Sequence, residues 1–456
     1  MSAQARLGTV GLALAAAVAW PATTAGPAPV PPAPSRVPVV ASSAACPDVR
    51  QEGDGGSTAV ASVGGTVRAG GPLEGPLTEA AALPPDLSGP FVVRAEGAGL
   101  VVEQTTRATT GSRRGTAALT CSAPTTEAWF VGGATVLGSY SELVLVNAGE
   151  VPALVDVGVW TADGPVDGRG FAVPARTRAV VPLDAVAPDR DLLALHVRAT
   201  RGQVSPALRV VRSDGRTPLG TDWVPVAQPP ATDLVVPGLP DGPGRRTALL
   251  TNPGDRDATA RLVLATGDGE VPLDPVTVPA GSSVAVDLSE RLAETPAALR
   301  VSADAPLLAG ASVVDRQDGA VREIAYTAAA PGLAEPALLA DVRLSAPTEV
   351  TLLLSAGTQD AVVEVVPVAA PGALPAPLRV EVPAGTTVGT RLSRFLPPGA
   401  EGSLVLEVRP VSGQVHAARY SRERGSRGPL TTLLPVVAPV RSVLQPAVVA
   451  DPGAGL

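Results

Sequence analysis

The sequence predicts an all-β protein of tandem immunoglobulin-like β-sandwich units, about three and a half repeats, behind an N-terminal export segment. Three observations predict it. A motif returns at sandwich-sized spacing, short runs of alternating apolar residues fill the intervals, and helical periodicity is nearly absent. The motif is VTVPAGSSVAVDL from Val276 to Leu288, met again as FAVPARTRAVVPL from Phe171 to Leu183 and as VEVPAGTTVGTRL from Val380 to Leu392. Its prolines Pro174, Pro279 and Pro383 lie 105 and 104 residues apart, each between two short apolar runs, as in a strand, turn, strand element.

Upstream of this anchor, Leu143 to Gly164 lines up with Ala248 to Gly269 and more loosely with Leu352 to Gly372. The chain's two asparagines, Asn147 and Asn252, stand at equivalent places just before a glycine, which reads as a turn. Neither has Ser or Thr two positions on, so neither is a glycan acceptor. Downstream, Leu195 to Val204, Leu299 to Leu308 and Leu406 to Val415 align as a further hairpin. Val155, Val157 and Val159, like Val284, Val286 and Leu288, alternate with small or charged residues, giving strands with one buried and one solvated face. Pro296 stops the best helical candidate, Leu288 to Leu299, which leaves a one-turn connector.

The boundaries follow from the repeat. Residues 1–25 are a signal peptide or N-terminal membrane anchor, 26–45 a Pro/Ala-rich linker and 46–122 a degenerate β unit. Repeats 1, 2 and 3 occupy 123–227, 228–330 and 331–442, and 443–456 is a tail. A seven-bladed β-propeller, two blades per unit, is the alternative; it requires the halves of a unit to resemble each other, and they do not. Arg6 ahead of the apolar run Leu7 to Trp20, then small residues through Ala25, suits export, with cleavage near Ala25 or retention as a single-pass anchor.

Glycine (48) and proline (49) exceed a fifth of the 456 residues, but they punctuate regular Val and Leu runs, which argues for short strands rather than disorder. The net charge of −8 comes without a basic stripe, so counterion release offers no drive toward nucleic acid or anionic lipid. The two cysteines, Cys46 and Cys121, are expected to pair with each other in an exported chain. Ser43 stands where a lipidated Cys46 would want a leucine-like residue, and two cysteines are too few for a metal site.

Cys46 with Pro47, AWFVGG from Ala128 to Gly133, LTNPGD from Leu250 to Asp255 and VPAG from Val278 to Gly281 resemble an actinobacterial family of exported proteins catalogued as a domain of unknown function, number 5719. The resemblance covers most of the chain beyond the leader. It implies an export or anchor segment and a role at the cell envelope, and it brings no activity with it.

No G-x-S-x-G elbow, Walker loop or H-E-x-x-H is present. His196 and His416 each read as a surface strand histidine. Asp163, Asp167 and Gly168 invite a calcium loop, as do Asp268 and Asp274. However, Asp163-Gly164 and Asp268-Gly269 sit between strands where Asp-Gly is an ordinary hairpin dipeptide, and repeat 3 has Pro371-Gly372 there. No catalytic residue, cofactor or metal is expected. The function expected is a non-catalytic, exported cell-envelope protein, a tandem spacer or protein-interaction platform whose partner is an unknown envelope protein or cell-wall component. The alternatives are a carbohydrate- or peptidoglycan-binding array, weakened by Trp129, Trp160 and Trp223 at non-equivalent positions, and a hydrolase using dispersed carboxylates.

Overall fold

The computed structural model describes residues 35–445 apart from 48–54, 63–65, 71–72, 74–77, 80–88, 293, 317–321, 346, 370–372 and 396–400. The predicted leader, residues 26–34 of the predicted linker and the tail from 446 lie outside the described residues, while the rest of that linker holds the strand Ser35–Pro38 and most of Ala41–Cys46. The chain divides into two compact units. The smaller, Met1–Val37 with Val443–Leu456, carries most of a two-stranded ribbon in which Ser35–Pro38 pairs with Ser442–Gln445. The larger, Pro38–Ser442, holds everything described below.

Repeat 1 is a sandwich of two four-stranded antiparallel sheets. One orders Thr177–Pro182, Ser139–Asn147, Ser205–Asp214 and Thr217–Val224; the other orders Gly164–Val173, Ala153–Thr161, Ala194–Arg201 and Glu127–Val131. Repeat 3 has the same plan, with Thr387–Arg391, Thr348–Ala356, Val415–Gly425 and Gly428–Val436 facing Leu378–Val382, Ala361–Ala369, Gly402–Ser412 and Ala337–Leu344. In repeat 2 the counterparts of Ala194–Arg201 and Ser205–Asp214, an inner strand from each sheet of repeat 1, are fused into one 19-residue strand, Ala297–Asp315, which pairs in both sheets. Each repeat closes its core between two sheets, so blades of single sheets, as a propeller needs, do not describe it.

The alternation predicted for Ala153–Thr161 is observed: Val155, Val157 and Val159 are buried and Asp156 is exposed. The Asp-Gly dipeptides are hairpins. Thr161 pairs with Gly164 and Thr266 with Gly269, and each threonine hydroxyl caps its turn by donating to the glycine carbonyl (2.9 and 2.8 Å). The asparagines act as clasps. Asn147 Nδ2 donates to Val151 O and Val173 O (2.9 and 3.0 Å) while its Oδ1 accepts Gly149 N; Asn252 does the same with Arg256 O, Val278 O and Gly254 N. The one-turn connector is present as a 3-10 turn at Ser289–Arg291, with counterparts at Leu183–Ala185 and Leu392–Phe395.

The anchor motif differs from its expected form. Val173 and Thr177 flank Pro174 but lie in strands of opposite sheets, and so do Ala194–Arg201 and Ser205–Asp214. These corners cross the sandwich rather than fold back within one sheet. The alternation of apolar residues is the same on either path, which is why the strands but not the crossing could be read.

The units are not strung out. The strands Gly115–Thr120, Thr217–Val224, Glu323–Ala328 and Gly428–Val436, the last of the degenerate unit and of each repeat, pack side by side in that order, and the fourth lies against the first. Small apolar clusters seal the joints: Trp129 and Val131 with Leu249 and Leu308 between repeats 1 and 2, Ala325 with Leu433 between repeats 2 and 3, and Ala61 and Val101 with Leu338 and Ala340 between the degenerate unit and repeat 3. The degenerate unit shares its core with repeat 1: Phe91, Val93 and the Cys46–Cys121 disulfide pack on Val144, Val146, Ala207 and Trp223. Gly132 of the AWFVGG segment makes room for Tyr326, since a Cβ there (φ +143°) would stand 3.0 Å from its ring.

Candidate functional site: the axial hub and its apolar mouth

The four inner strands enclose a polar hub in two layers. At their starts, Arg114 of the degenerate unit donates through Nη1 to Glu323 Oε2 (3.2 Å) and through Nη2 to Gly428 O and Pro429 O (2.8 and 2.9 Å). Glu323 Oε1 accepts the Thr221 amide (3.3 Å). One layer thus ties all four units. The second layer centres on Asp222. Its Oδ1 accepts Ala118 N and Thr432 Oγ1 (3.3 and 3.0 Å) and its Oδ2 accepts Tyr326 N (3.1 Å), from residues 104 before, 210 after and 104 after it. These offsets are one or two repeat periods, so Ala118, Asp222, Tyr326 and Thr432 are equivalent positions, one per unit. Gly220 lets the layers close: its φ is +117°, and a Cβ would sit 2.7 Å from Ile324 N.

Asp222 and Glu323 are fully buried. Desolvation pushes both carboxyls well above the usual range, Glu323 against the pull of Arg114 and Asp222 against four hydrogen-bond donors. Burial likewise pushes the Tyr326 phenol up to about 12. The folded state therefore retains protons that the unfolded chain, with carboxyls near 3.8 and 4.5, gives up. This contribution is complete below about pH 4 and is lost as pH rises through the folded values. The expected result is that, in denaturant titrations from about pH 4 to 9, the Asp222→Asn, Glu323→Gln double variant loses less stability with rising pH than the parent. Parallel pH curves would contradict it.

Further ion pairs close the ring at its periphery. Glu103 accepts Arg419 Nη1 and Asp341 N (2.6 and 2.9 Å), Arg107 grips Glu423 with two nitrogens (2.7 and 2.5 Å), and Asp315 accepts Arg422 Nε and Thr431 Oγ1 (2.6 and 3.0 Å).

Beyond the second layer the axis opens into an apolar mouth of about 450 Å³. Every unit contributes to it: Cys121 from the degenerate unit, Val226 from repeat 1, Ala329 from repeat 2 and Val437 from repeat 3. Val226, Val437 and Val440 on its lining are 46, 46 and 65% exposed, a concentration of apolar surface at one pole of the ring. Glu103 and Glu127 are its carboxylates.

The remaining candidates are placed as follows. Cys46 and Cys121 are bonded, Cα to Cα 4.8 Å, across a sequence separation of 75. His196 is partly exposed, and its ring stacks on Trp129 (centroids 3.7 Å, planes 4° apart); its Nε2 meets Glu127 Oε1 at 2.9 Å, and burial holds its pKa below the ordinary value. Trp160 lies 5.6 Å from Trp129, so two tryptophans that the alignment separates share one sheet. His416 is not on the surface: it is 9% exposed, with Nδ1 3.0 Å from Ala330 O at the connection to repeat 2. Asp163 pairs with Arg190. Among the described residues no three His, Cys, Asp or Glu side chains are placed to hold a metal, and no helix is long and apolar enough to cross a membrane.

The hub residues escaped the sequence reading because they do not recur: each layer uses one acid, supplied by a different unit. The signal that could have found them is the offset itself, a lone Asp or Glu at the repeat-equivalent place in otherwise apolar strands. A family model described as a family of unknown function, DUF5719, matches residues 91–393. No curated protein matches. A crystal structure of Thermotoga maritima 1070 is 19% identical over 22% of this chain and 93% of its own, with a TM-score of 0.20, too low to carry an argument.

Proposed function

The chain belongs to the family of unknown function DUF5719, and on that premise we propose that it is a non-catalytic, exported cell-envelope protein whose closed ring presents its apolar mouth to a protein partner. The carrying observation is that mouth, with exposed Val226, Val437 and Val440 around an open cavity of about 450 Å³. Water-exposed apolar surface of this kind is a cost that burial against a partner removes. The buried disulfide suits an oxidising compartment, in line with the leader read from residues 1–25. The perturbed acids Asp222 and Glu323 are enclosed, so they serve assembly and no substrate reaches them. A platform fits the closed ring better than a spacer does, because units packed around an axis add breadth rather than reach.

A second reading, carbohydrate binding, is favoured by the Trp129, Trp160 and His196 cluster. Against it, Trp129 is 7% exposed and one face of its ring is covered by His196.

Proximity labelling in the native cell, with mass spectrometry of the mature N-terminus, tests the proposal. Envelope proteins are expected among the neighbours of the parent chain and are expected to be lost from the Val226→Asp, Val440→Asp variant. Neighbours that are mainly cytoplasmic would end the envelope reading. Neighbours unchanged in the variant, together with glycan binding abolished by Trp160→Ala, would move the function to the second reading.

A further inference from the structure

A recess of about 450 Å³ lies between the last hairpin of repeat 1 and the edge of repeat 2, away from the mouth. Four arginines line it: Arg212, Arg245, Arg316 and Arg322. Arg212 donates through Nε to Ser139 Oγ (3.2 Å), and none of the four makes an ion pair among the described residues. Asp287 stands on the rim, but its Oδ1 is taken by the backbone amide (2.9 Å) and the hydroxyl of Ser289, which hold its pKa below the usual value. Among the described residues of the lining, four guanidiniums against this one carboxylate leave a surplus of three positive charges, in a chain whose net charge is −8.

The corresponding recess between the degenerate unit and repeat 3, about 560 Å³, is the contrast. There each arginine has its acid: Arg107 with Glu423, Arg343 with Asp341, Arg419 with Glu103. Inter-unit recesses in this protein are thus neutralised when they serve only the joint, and this one is not. Its floor is also fixed. The neighbouring Arg246 is fully buried and donates to Pro240 O, Asp241 O and Pro243 O (3.0, 2.7 and 2.8 Å), which pins the loop that delivers Arg245.

We propose that this recess binds a phosphate-bearing ligand. Guanidinium forks match the oxygens of a phosphoryl group in charge and geometry. A phosphate monoester carries about −1.5 to −2 at neutral pH and so offsets most of the surplus, whereas a carboxylate offsets only a third of it. A pocket of this size falls in the range that holds small ligands, about 300–1,000 Å³.

Calorimetric titration of the whole folded protein with inorganic pyrophosphate, a polyphosphate chain and acetate tests this. Saturable binding of pyrophosphate is expected, weakened about tenfold or more in Arg245→Gln, Arg322→Gln and weakened again by added salt. A free phosphate ester as the natural ligand predicts the same affinity per site for the chain; a phosphate polymer predicts a tighter chain. Absence of saturable binding, acetate binding as tightly as pyrophosphate, or an unchanged affinity in the variant would overturn the proposal. Arg245 and Arg322 are exposed, so thermal midpoints are expected to match the parent's; should the pair fail to fold, Arg316→Gln alone carries the comparison. The valines of the mouth take no part, so this result stands apart from that of the partner experiment.

Discussion

Arg114→Ala is expected to destabilise the protein by about 3–5 kcal/mol, the cost of stranding a buried charge. Glu323 would lose its one ion-pair partner among the described residues, in a fully buried site, and Gly428 O and Pro429 O would lose their Arg114 donor at the same moment. Because the pair touches all four units, the loss is expected to appear as one cooperative transition shifted to lower denaturant rather than as early melting of the degenerate unit. The double replacement Arg114→Met, Glu323→Leu removes both charges together and is expected to recover most of the loss, since an apolar pair of similar volume often equals a buried ion pair. Denaturant unfolding of the two variants and the parent checks both statements. A cost below about 1 kcal/mol for Arg114→Ala would place the pair with exposed ion pairs and refute the hub as a keystone.

Removing the disulfide with Cys46→Ala, Cys121→Ala is expected to cost about 4 kcal/mol, from the loop-closure entropy of a crosslink spanning 75 residues. The place where it is felt follows from the packing. The disulfide lies in a core shared with Val144, Val146, Ala207 and Trp223, so hydrogen exchange is expected to quicken first in 46–122 and next in the strands Ser139–Asn147 and Ser205–Asp214 of repeat 1. The strands of repeat 3, whose core is its own, are expected to follow last. Equal acceleration in all four units would contradict this order.

Much of the architecture was legible because turns repeat. Pro174, Pro279 and Pro383, the Asp-Gly hairpins and the two asparagine clasps each occur at matching places, and backbone geometry demands the same residue types every time. Cys46 and Cys121 were legible because a chain with two cysteines leaves each one obvious partner. What was hidden depends on contact between units. Asp222 has no acidic counterpart at Ala118, Tyr326 or Thr432, so a search for recurring polar clusters passes over it, although four strands meet on its carboxylate. His416 misled for the same reason: it lies on a strand whose solvent side is covered by the connection at Ala330. Trp129 and Trp160 looked unrelated because equivalence between repeats was the measure, whereas they are neighbours within one.

The fourth inner strand lying against the first has a consequence for how such a molecule can vary. An open stack of modules tolerates duplication or deletion of a copy, since either end simply moves. Here Glu103, Arg107 and Ala61 of the opening module are already spent on Arg419, Glu423 and Leu338 of the closing one. A fifth copy would find no seat and a missing one would leave a gap with half its charges orphaned, so the number of modules is set by geometry and diversity is confined to loops and poles.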